Sequence, residues 1–119
     1  MTDSNITALV DSAIKAGRAA AEAIEPMPMV VTDASRGKSY FVSEGPCGFA
    51  WINVKPANCA VAKYLKAHYR ASRDSYNGGI TYWVHDYGQS MARKEAFAYA
   101  MAKVLRDAGI RAYAGSRMD

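Results

Sequence analysis

The start of the chain has the apolar periodicity of an α-helix. Apolar or small residues recur every three or four positions, at Ile6, Leu9, Val10, Ala13, Ile14, Gly17, Ala20, Ala21 and Ile24. Because these positions share one helical face, they predict a helix over residues 5–24, which ends before Pro26. Its small residues let another backbone approach closely. We expect that partner to be the chain's own sheet, the alternative being a homodimer through this N-terminal helix.

Three short segments of strand character follow the first helix. Residues 29–33, 38–43 and 49–54 are rich in β-branched and aromatic side chains. Glycine lies in both separators and proline in the second, as is typical of tight turns. Strands joined by such short loops are usually antiparallel neighbours. The sequence therefore predicts a three-strand meander over residues 29–54.

The second half of the chain predicts helices alternating with strands. In chain order these elements are a helix over residues 57–72, a strand over 80–85, a helix over 90–108 and a strand over 110–114. The register of the last helix puts Phe97, Met101, Val104 and Ala108 on its buried face. Gly109 follows it as a left-handed C-terminal cap.

These elements predict a single α+β domain of order αβββαβαβ over residues 1–119. The chain is 50% hydrophobic and 22% charged, a composition typical of one folded domain that needs no disulfide or metal to complete its core. Because helices connect some of the strands, some strand pairs could be parallel. We expect two layers, with helices packed on a mixed, mostly antiparallel sheet.

Charge is unevenly distributed along the chain. Residues 1–34 carry a net charge of −3 and residues 35–119 a net charge of +7. On the predicted helix over residues 57–72, four cations fall on the face opposite the apolar one: Lys63, Lys66, Arg70 and Arg73. This basic face indicates an anionic partner, either nucleic acid or an acidic host protein. The alternative is a solvated surface without a partner.

Aromatic residues suggest a second kind of site. The chain has eight tyrosines and two tryptophans, and Trp51, Trp83 and Tyr113 lie on three different predicted strands near cations. Rings combined with cations bind single-stranded nucleic acid or nucleotides. As an alternative to the basic helix face, we therefore consider a ligand pocket formed by Trp51, Trp83, His85, Tyr87 and Arg111. The competing interpretation places the aromatic rings in the core.

No catalytic residues are predicted. The chain has no GxSxG motif, and nothing in the sequence brings Cys47 or Cys59 near His68 or His85. Two histidines without a spaced carboxylate cluster do not indicate a metal site. Phosphate-binding glycine motifs are also missing, so no cofactor is expected.

Three stretches of the sequence resemble small uncharacterised proteins encoded by tailed bacteriophages. They are Cys47 to Pro56 (CGFAWINVKP), Tyr87 to Met91 (YGQSM) and Ala112 to Asp119 (AYAGSRMD). The resemblance implies the cytoplasm of an infected bacterium and an accessory role such as host modulation. It assigns no activity and no functional residue.

The sequence therefore predicts a cytoplasmic, non-enzymatic binding protein. No apolar run approaches the length of about 20 residues that spans a membrane, so no membrane association is expected. The leading hypothesis is an anionic partner on the basic helix face. The alternatives are nucleotide binding in the aromatic pocket and a homo-oligomeric interaction module.

Overall fold

The computed structural model describes residues 3–24, 29–33, 38–42, 48–87 and 90–118. Its elements, in chain order, are α1 (Asp3–Ala23), β1 (Met29–Asp33), β2 (Lys38–Val42), β3 (Gly48–Lys55), α2 (Ala60–His68), β4 (Ser72–Arg73), β5 (Ile80–Trp83), α3 (Met91–Asp107) and β6 (Arg111–Met118). Helices and strands are both present, which confirms the predicted α+β class. The order gains one element, because the two-residue strand β4 precedes β5. No helix in these ranges is long and apolar enough to cross a membrane.

The predicted meander is confirmed for its first two strands, which pair antiparallel, and is wrong for the third. β1 and β2 form a separate two-stranded hairpin, and β3 joins a four-stranded sheet of order β4-β5-β3-β6. β3 pairs with β6 along its whole length, from Gly48 opposite Met118 to Lys55 opposite Arg111. β6 has the same length as β3 and pairs with all of its residues. The hydrogen bonds and side-chain pairs of this long ladder favour β6 as the neighbour of β3 over β2, although β2 is closer in the sequence.

The prediction of a mixed sheet is also wrong. β3 runs antiparallel to β5 and to β6, and β4 runs antiparallel to β5, so every pair in the described sheet is antiparallel. The extra strand β4 explains the direction of β5, since the two form a hairpin after α2. The long register with β3 also extends β6 to Met118, beyond the predicted strand over residues 110–114.

Helix α2 is shorter than the predicted helix over residues 57–72. It ends at His68, where the backbone N–H of Tyr69 donates to the Leu65 carbonyl at 2.9 Å. Arg70 follows with a left-handed φ of 57°, which a continuing helix does not allow. Arg73 therefore lies on β4 instead of on the helix.

The three longer strands of the sheet bury side chains mainly on one face, although Asn53 and Thr81 on the other face are also buried. The buried positions on one face are Ala50, Ile52, Val54, Ile80, Tyr82 and Ala112. They share the core with apolar side chains of the three helices, such as Val10, Leu65 and Phe97. The intervening odd-numbered positions point to the other face, as strand alternation requires. Ile80, Tyr82 and Val84 are all buried, as the predicted alternation of residues 80–85 requires, but Thr81 between them is buried as well.

Helix α1 packs mainly along α3 instead of directly on the sheet, contrary to the prediction. Its small residues allow this approach: a Cβ atom on Gly17 would lie 3.0 Å from the Phe97 ring. Ala13 and Ala21, on the same helix, are fully buried within a single copy of the chain. The small-residue stripe is thus already covered by α3, and a second copy would have to displace that helix.

The buried face of α3 differs from the predicted one in its second half. The buried positions are Lys94, Phe97, Ala98, Met101, Ala102 and Leu105. Val104 is half-buried and Ala108 is exposed, because the apolar stripe turns toward Leu105. Gly109 has a φ of 87°, which confirms the predicted left-handed cap.

We expect Gly17→Val to destabilise the fold by about 1–3 kcal/mol, because the added methyl groups would overpack the contact with Phe97. Chemical denaturation measures the change in the free energy of unfolding. Ala19→Val is the matched control, since Ala19 is exposed on the same helix. Equal losses in the two variants would contradict the close packing of α1 on α3.

Candidate nucleic-acid interface

One face of the four-stranded sheet carries aromatic side chains in place of a core. Phe49, Trp51, Trp83 and Tyr113 occupy odd-numbered positions of β3, β5 and β6, and we refer to this surface as the aromatic face. The exposed fractions are 36% for Phe49, 38% for Trp83 and 53% for Tyr113, while Trp51 is half-buried. The rings that the core interpretation would bury are thus partly accessible to solvent, and Tyr113 is the most exposed of them.

The rings of the aromatic face form a connected cluster. Trp51 lies directly opposite Trp83 in the β3–β5 register, and their ring centroids are 5.2 Å apart. Phe49 meets Trp83 edge to face, at 6.4 Å and 89°. On the other side, the Trp51 indole lies across Gly115 of β6, where a Cβ atom would come within 2.6 Å of the ring. Gly115 therefore makes room for the Trp51 side chain to lie flat on the sheet.

The charges on this sheet are all positive. Strands β3 to β6 contain no aspartate or glutamate, whereas Lys55, Arg73, Arg111 and Arg117 lie on them. Lys55 is opposite Arg111 at one end of the β3–β6 pair, and Phe49 is opposite Arg117 near the other end. Cations therefore flank the aromatic rings at both ends, which creates a positive potential over the aromatic face.

The loop that joins β4 to β5 lies beside the aromatic face and contains a carboxylate, Asp74. Asn53 Nδ2 donates to the Gly78 carbonyl at 2.9 Å and to the Thr81 hydroxyl at 3.1 Å. The Thr81 hydroxyl donates in turn to Asp74 at 3.2 Å. The backbone N–H of Asn77 holds the pKa of Asp74 below its ordinary value of 3.8. Asp74 is thus ionised at neutral pH, and its oxygens are occupied by the loop that joins β4 to β5.

A cavity of about 390 Å³ opens at the end of the sheet where β3 begins. We call it the end cavity; it is lined by Phe49, Trp83, Val84, His85, Lys94 and Arg117. Lys94 reaches it from α3 and is only 7% exposed. Its Nζ donates to the Gly48 carbonyl at 3.3 Å and lies 5.7 Å from the Phe49 ring centroid. The Arg117 guanidinium lies 5.5 Å from the same centroid.

Three of the four cations predicted on the basic helix face lie around one groove. Lys63 and Lys66 of α2 and Arg73 of β4 line a groove of about 460 Å³, which we call the basic groove. All three are exposed. Arg70 is also exposed but lies in the connection after α2, outside this lining. Among the described residues, no carboxylate is within salt-bridge distance of these cations.

The structure brings together only part of the predicted aromatic pocket. Trp51 and Trp83 are in contact, and His85 lines the end cavity beside Trp83. Tyr87 lies apart, since its ring packs 6.1 Å from Phe97 in the helical core. Burial and the nearby Glu22 raise the pKa of Tyr87, which therefore stays protonated at neutral pH. Arg111 is at the opposite end of the aromatic face from the end cavity.

Sequence reasoning did not select Phe49, Lys94 or Arg117 as site residues. Lys94 left a readable signal, because it occupies the same helical face as Phe97, Ala98 and Met101. A lysine in the apolar register of a helix is unusual enough to mark a buried charge. Arg117 was one of the cations noted near the aromatic strands, but the last strand was predicted to end at residue 114, and so its place on the sheet beside Phe49 was missed.

The residues considered for catalysis do not assemble into a nucleophilic site. Cys59 is the N-cap of α2, where its Sγ accepts from the Ala62 N–H at 3.4 Å. Cys47 lies outside the described residues. His68 stacks on Tyr64, with ring centroids 4.5 Å apart. Within the described ranges, no three His, Cys, Asp or Glu side chains gather as a metal site requires.

Gly115→Ala tests the close approach of Trp51 to β6. Its Cβ would overlap the indole, so we expect Trp51 to rotate away and the tryptophan emission and near-UV circular dichroism to change. Tyr113→Phe, on the same strand and face, is the control and keeps the tryptophan emission of the parent. Unchanged spectra in Gly115→Ala would show that Trp51 does not lie across Gly115.

Comparison with known proteins does not identify a family for this chain. No protein-family model, curated protein or solved structure matches the chain. The function is therefore inferred from the arrangement of the site itself.

Proposed function

We propose that this protein binds single-stranded nucleic acid on the aromatic face of its sheet. One observation carries the proposal: accessible aromatic rings lie on strands that hold cations and no carboxylate. Bases stack on aromatic side chains, while cations contact the phosphates, and this combination is the common solution for binding single strands. The protein thus acts as a non-enzymatic binding protein.

The chemistry of the face favours single strands over duplexes. Stacking on a side chain requires a base that is not already stacked between its neighbours. The rings of Trp83 and Tyr113 lie on a flat strand surface and do not project as a helix would into a major groove. Stacking and phosphate contacts read little base identity, so weak sequence selectivity and strong salt dependence follow.

A two-layer arrangement fits this function. We infer that the helices form one layer, on the side of the sheet where Ile52, Val54 and Tyr82 are buried. The aromatic face then stays free for a ligand. The resemblance to tailed-phage proteins supports an accessory role in the cytoplasm of an infected bacterium, where single-stranded nucleic acid is an available partner.

Tyr113→Ala is the first test of the aromatic face. We expect a loss of about 1–3 kcal/mol in the free energy of binding a fluorescent oligothymidylate, the usual contribution of one stacked base. Fluorescence anisotropy at low salt measures this loss. Tyr99→Ala is a closely matched control, because Tyr99 is 51% exposed but lies on α3.

Arg111→Gln complements this variant. Each phosphate contact on a single strand contributes roughly 0.7 to the slope of log affinity against log salt, so the slope falls by about that amount. Equal affinities of the two tyrosine variants would contradict binding on the aromatic face, and so would a parent protein that does not retain the oligonucleotide.

The basic groove supports a second candidate interface. Lys63, Lys66 and Arg73 converge there without a carboxylate partner in the described part of the chain, as an anionic ligand requires. This interface would take nucleic acid phosphates or an acidic host protein. It reads charge only, because the Ala57, Asn58 and Ile80 side chains in its lining offer no ring for stacking.

A variant with Lys63, Lys66, Arg70 and Arg73 all changed to Gln separates the two interfaces. If the basic groove contributes, oligothymidylate binding weakens and its salt slope falls, while the Tyr113→Ala effect persists. Anisotropy against salt concentration measures both quantities. Unchanged affinity and slope would remove the basic groove and leave the aromatic face as the interface.

A further inference from the structure

We propose that the end cavity binds a terminal phosphate monoester, so that the protein prefers single strands with a phosphorylated end. This inference rests on the proposed function, because the cavity lies at the end of the aromatic face. Phe49 and Trp83 belong both to that face and to the cavity lining. A strand stacked on the rings therefore has its end beside Lys94 and Arg117.

The burial of Lys94 is the main reason for expecting an anion. Lys94 is only 7% exposed, and among the described residues its Nζ donates to the neutral Gly48 carbonyl and to no carboxylate. Taking an ammonium group out of water costs free energy that a neutral carbonyl only partly offsets. An anion in the cavity would supply the missing opposite charge.

Arg117 is a second cation in the lining of the end cavity. Arg117 and Lys94 both contact the Phe49 ring, at 5.5 and 5.7 Å from its centroid. Within the described residues, no carboxylate is close enough to form a salt bridge with either one. Two like charges that line one cavity repel each other. A ligand of high negative charge between them would attract both and so offset this repulsion.

The charge of the cavity lining favours a terminal phosphate over an internal one. An internal phosphodiester carries one negative charge and is flanked by nucleotides on both sides, which hinders its approach to an ammonium group that is only 7% exposed. A phosphate monoester carries nearly two charges at pH 7 and has one free side. His85 on the cavity rim adds a ring that can donate a hydrogen bond to it.

The test compares oligothymidylates that carry a 5′-phosphate, a 3′-phosphate or no terminal phosphate. We expect the intact protein to bind one phosphorylated form at least about tenfold more tightly than the unphosphorylated strand, as a charge-assisted contact provides. The two phosphorylated strands establish which end enters the cavity. Fluorescence anisotropy measures all three affinities at the same salt concentration.

Lys94→Met assigns the preference to the cavity. The variant should bind all three strands within about twofold of one another, and its ligand-free melting temperature should be equal to or above that of the parent because a buried charge is gone. Lys103→Met is the matched control, since Lys103 lies on the same helix but is exposed and paired with Asp107. Arg117→Gln, at an exposed position, should also reduce the preference for the phosphorylated strand.

A parent protein that binds the three strands equally would overturn the inference, and so would a Lys94→Met variant that melts lower and keeps the preference. If no oligothymidylate binds, the proposed function fails separately. Thymidine, thymidine 5′-monophosphate and thymidine 3′-monophosphate then test the cavity alone through the tryptophan fluorescence of Trp83. Equal responses to all three would overturn the inference in that case as well.

Discussion

The pairing of β3 with strands on both of its sides determines which side chains of the sheet enter the core and which lie on the aromatic face. Its eight residues are in register with β6 throughout and with β5 from Trp51 to Val54. Because strand side chains alternate, this register sends Ile52 into the core and Trp51 onto the aromatic face. A slip of one residue would exchange the two sets, burying the rings and exposing the aliphatic side chains. The core and the candidate interface therefore depend on the same hydrogen-bonded ladder.

Small residues allow bulky groups to meet across this ladder. Gly115 leaves space for the Trp51 indole, while Gly17 leaves space for the Phe97 ring between α1 and α3. Gly48 has a similar role where β3 begins, because a Cβ atom there would overlap Met91 of α3. The contact with α3 brings Lys94 to the first residue of β3, and so the helix that closes the core also supplies a cation to the end cavity.

Local patterns in the sequence predicted most of the elements, but not β4, the end of α2 or the pairing of β3. The apolar periodicity of α1, the alternation at Ile80 to Val84 and the cap at Gly109 depend on neighbours in the chain, and all three agree with the structure. The partner of β3 depends on a strand about 60 residues later, and a short loop to β2 gave the wrong answer. Long-range register is set by matched length and packing, which a single sequence does not reveal.

The same limit applies to the candidate site. Trp51 and Trp83 were recognised as residues that could stack with bases, yet their contact and their exposure follow from the sheet. The basic helix face was inferred from a helix that ends four residues early, at His68. Lys63, Lys66 and Arg73 still converge because β4 folds back beside α2 and places Arg73 in the basic groove. Three of the four predicted cations therefore converge because of the tertiary structure, and not because of the helical periodicity that suggested the group.

Strand β4 also connects the two candidate interfaces. It is the edge strand of the sheet and is only two residues long, so little backbone separates the two faces at this point. Arg73 lines the basic groove on one side of that edge and, with Trp83, a second cavity of about 220 Å³ on the other. That smaller cavity is also lined by Asp74, whose carboxylate is held by the loop from β4 to β5. Arg73 is therefore a cation that the two surfaces share, at a point where the proposed single strand would also meet a negative charge.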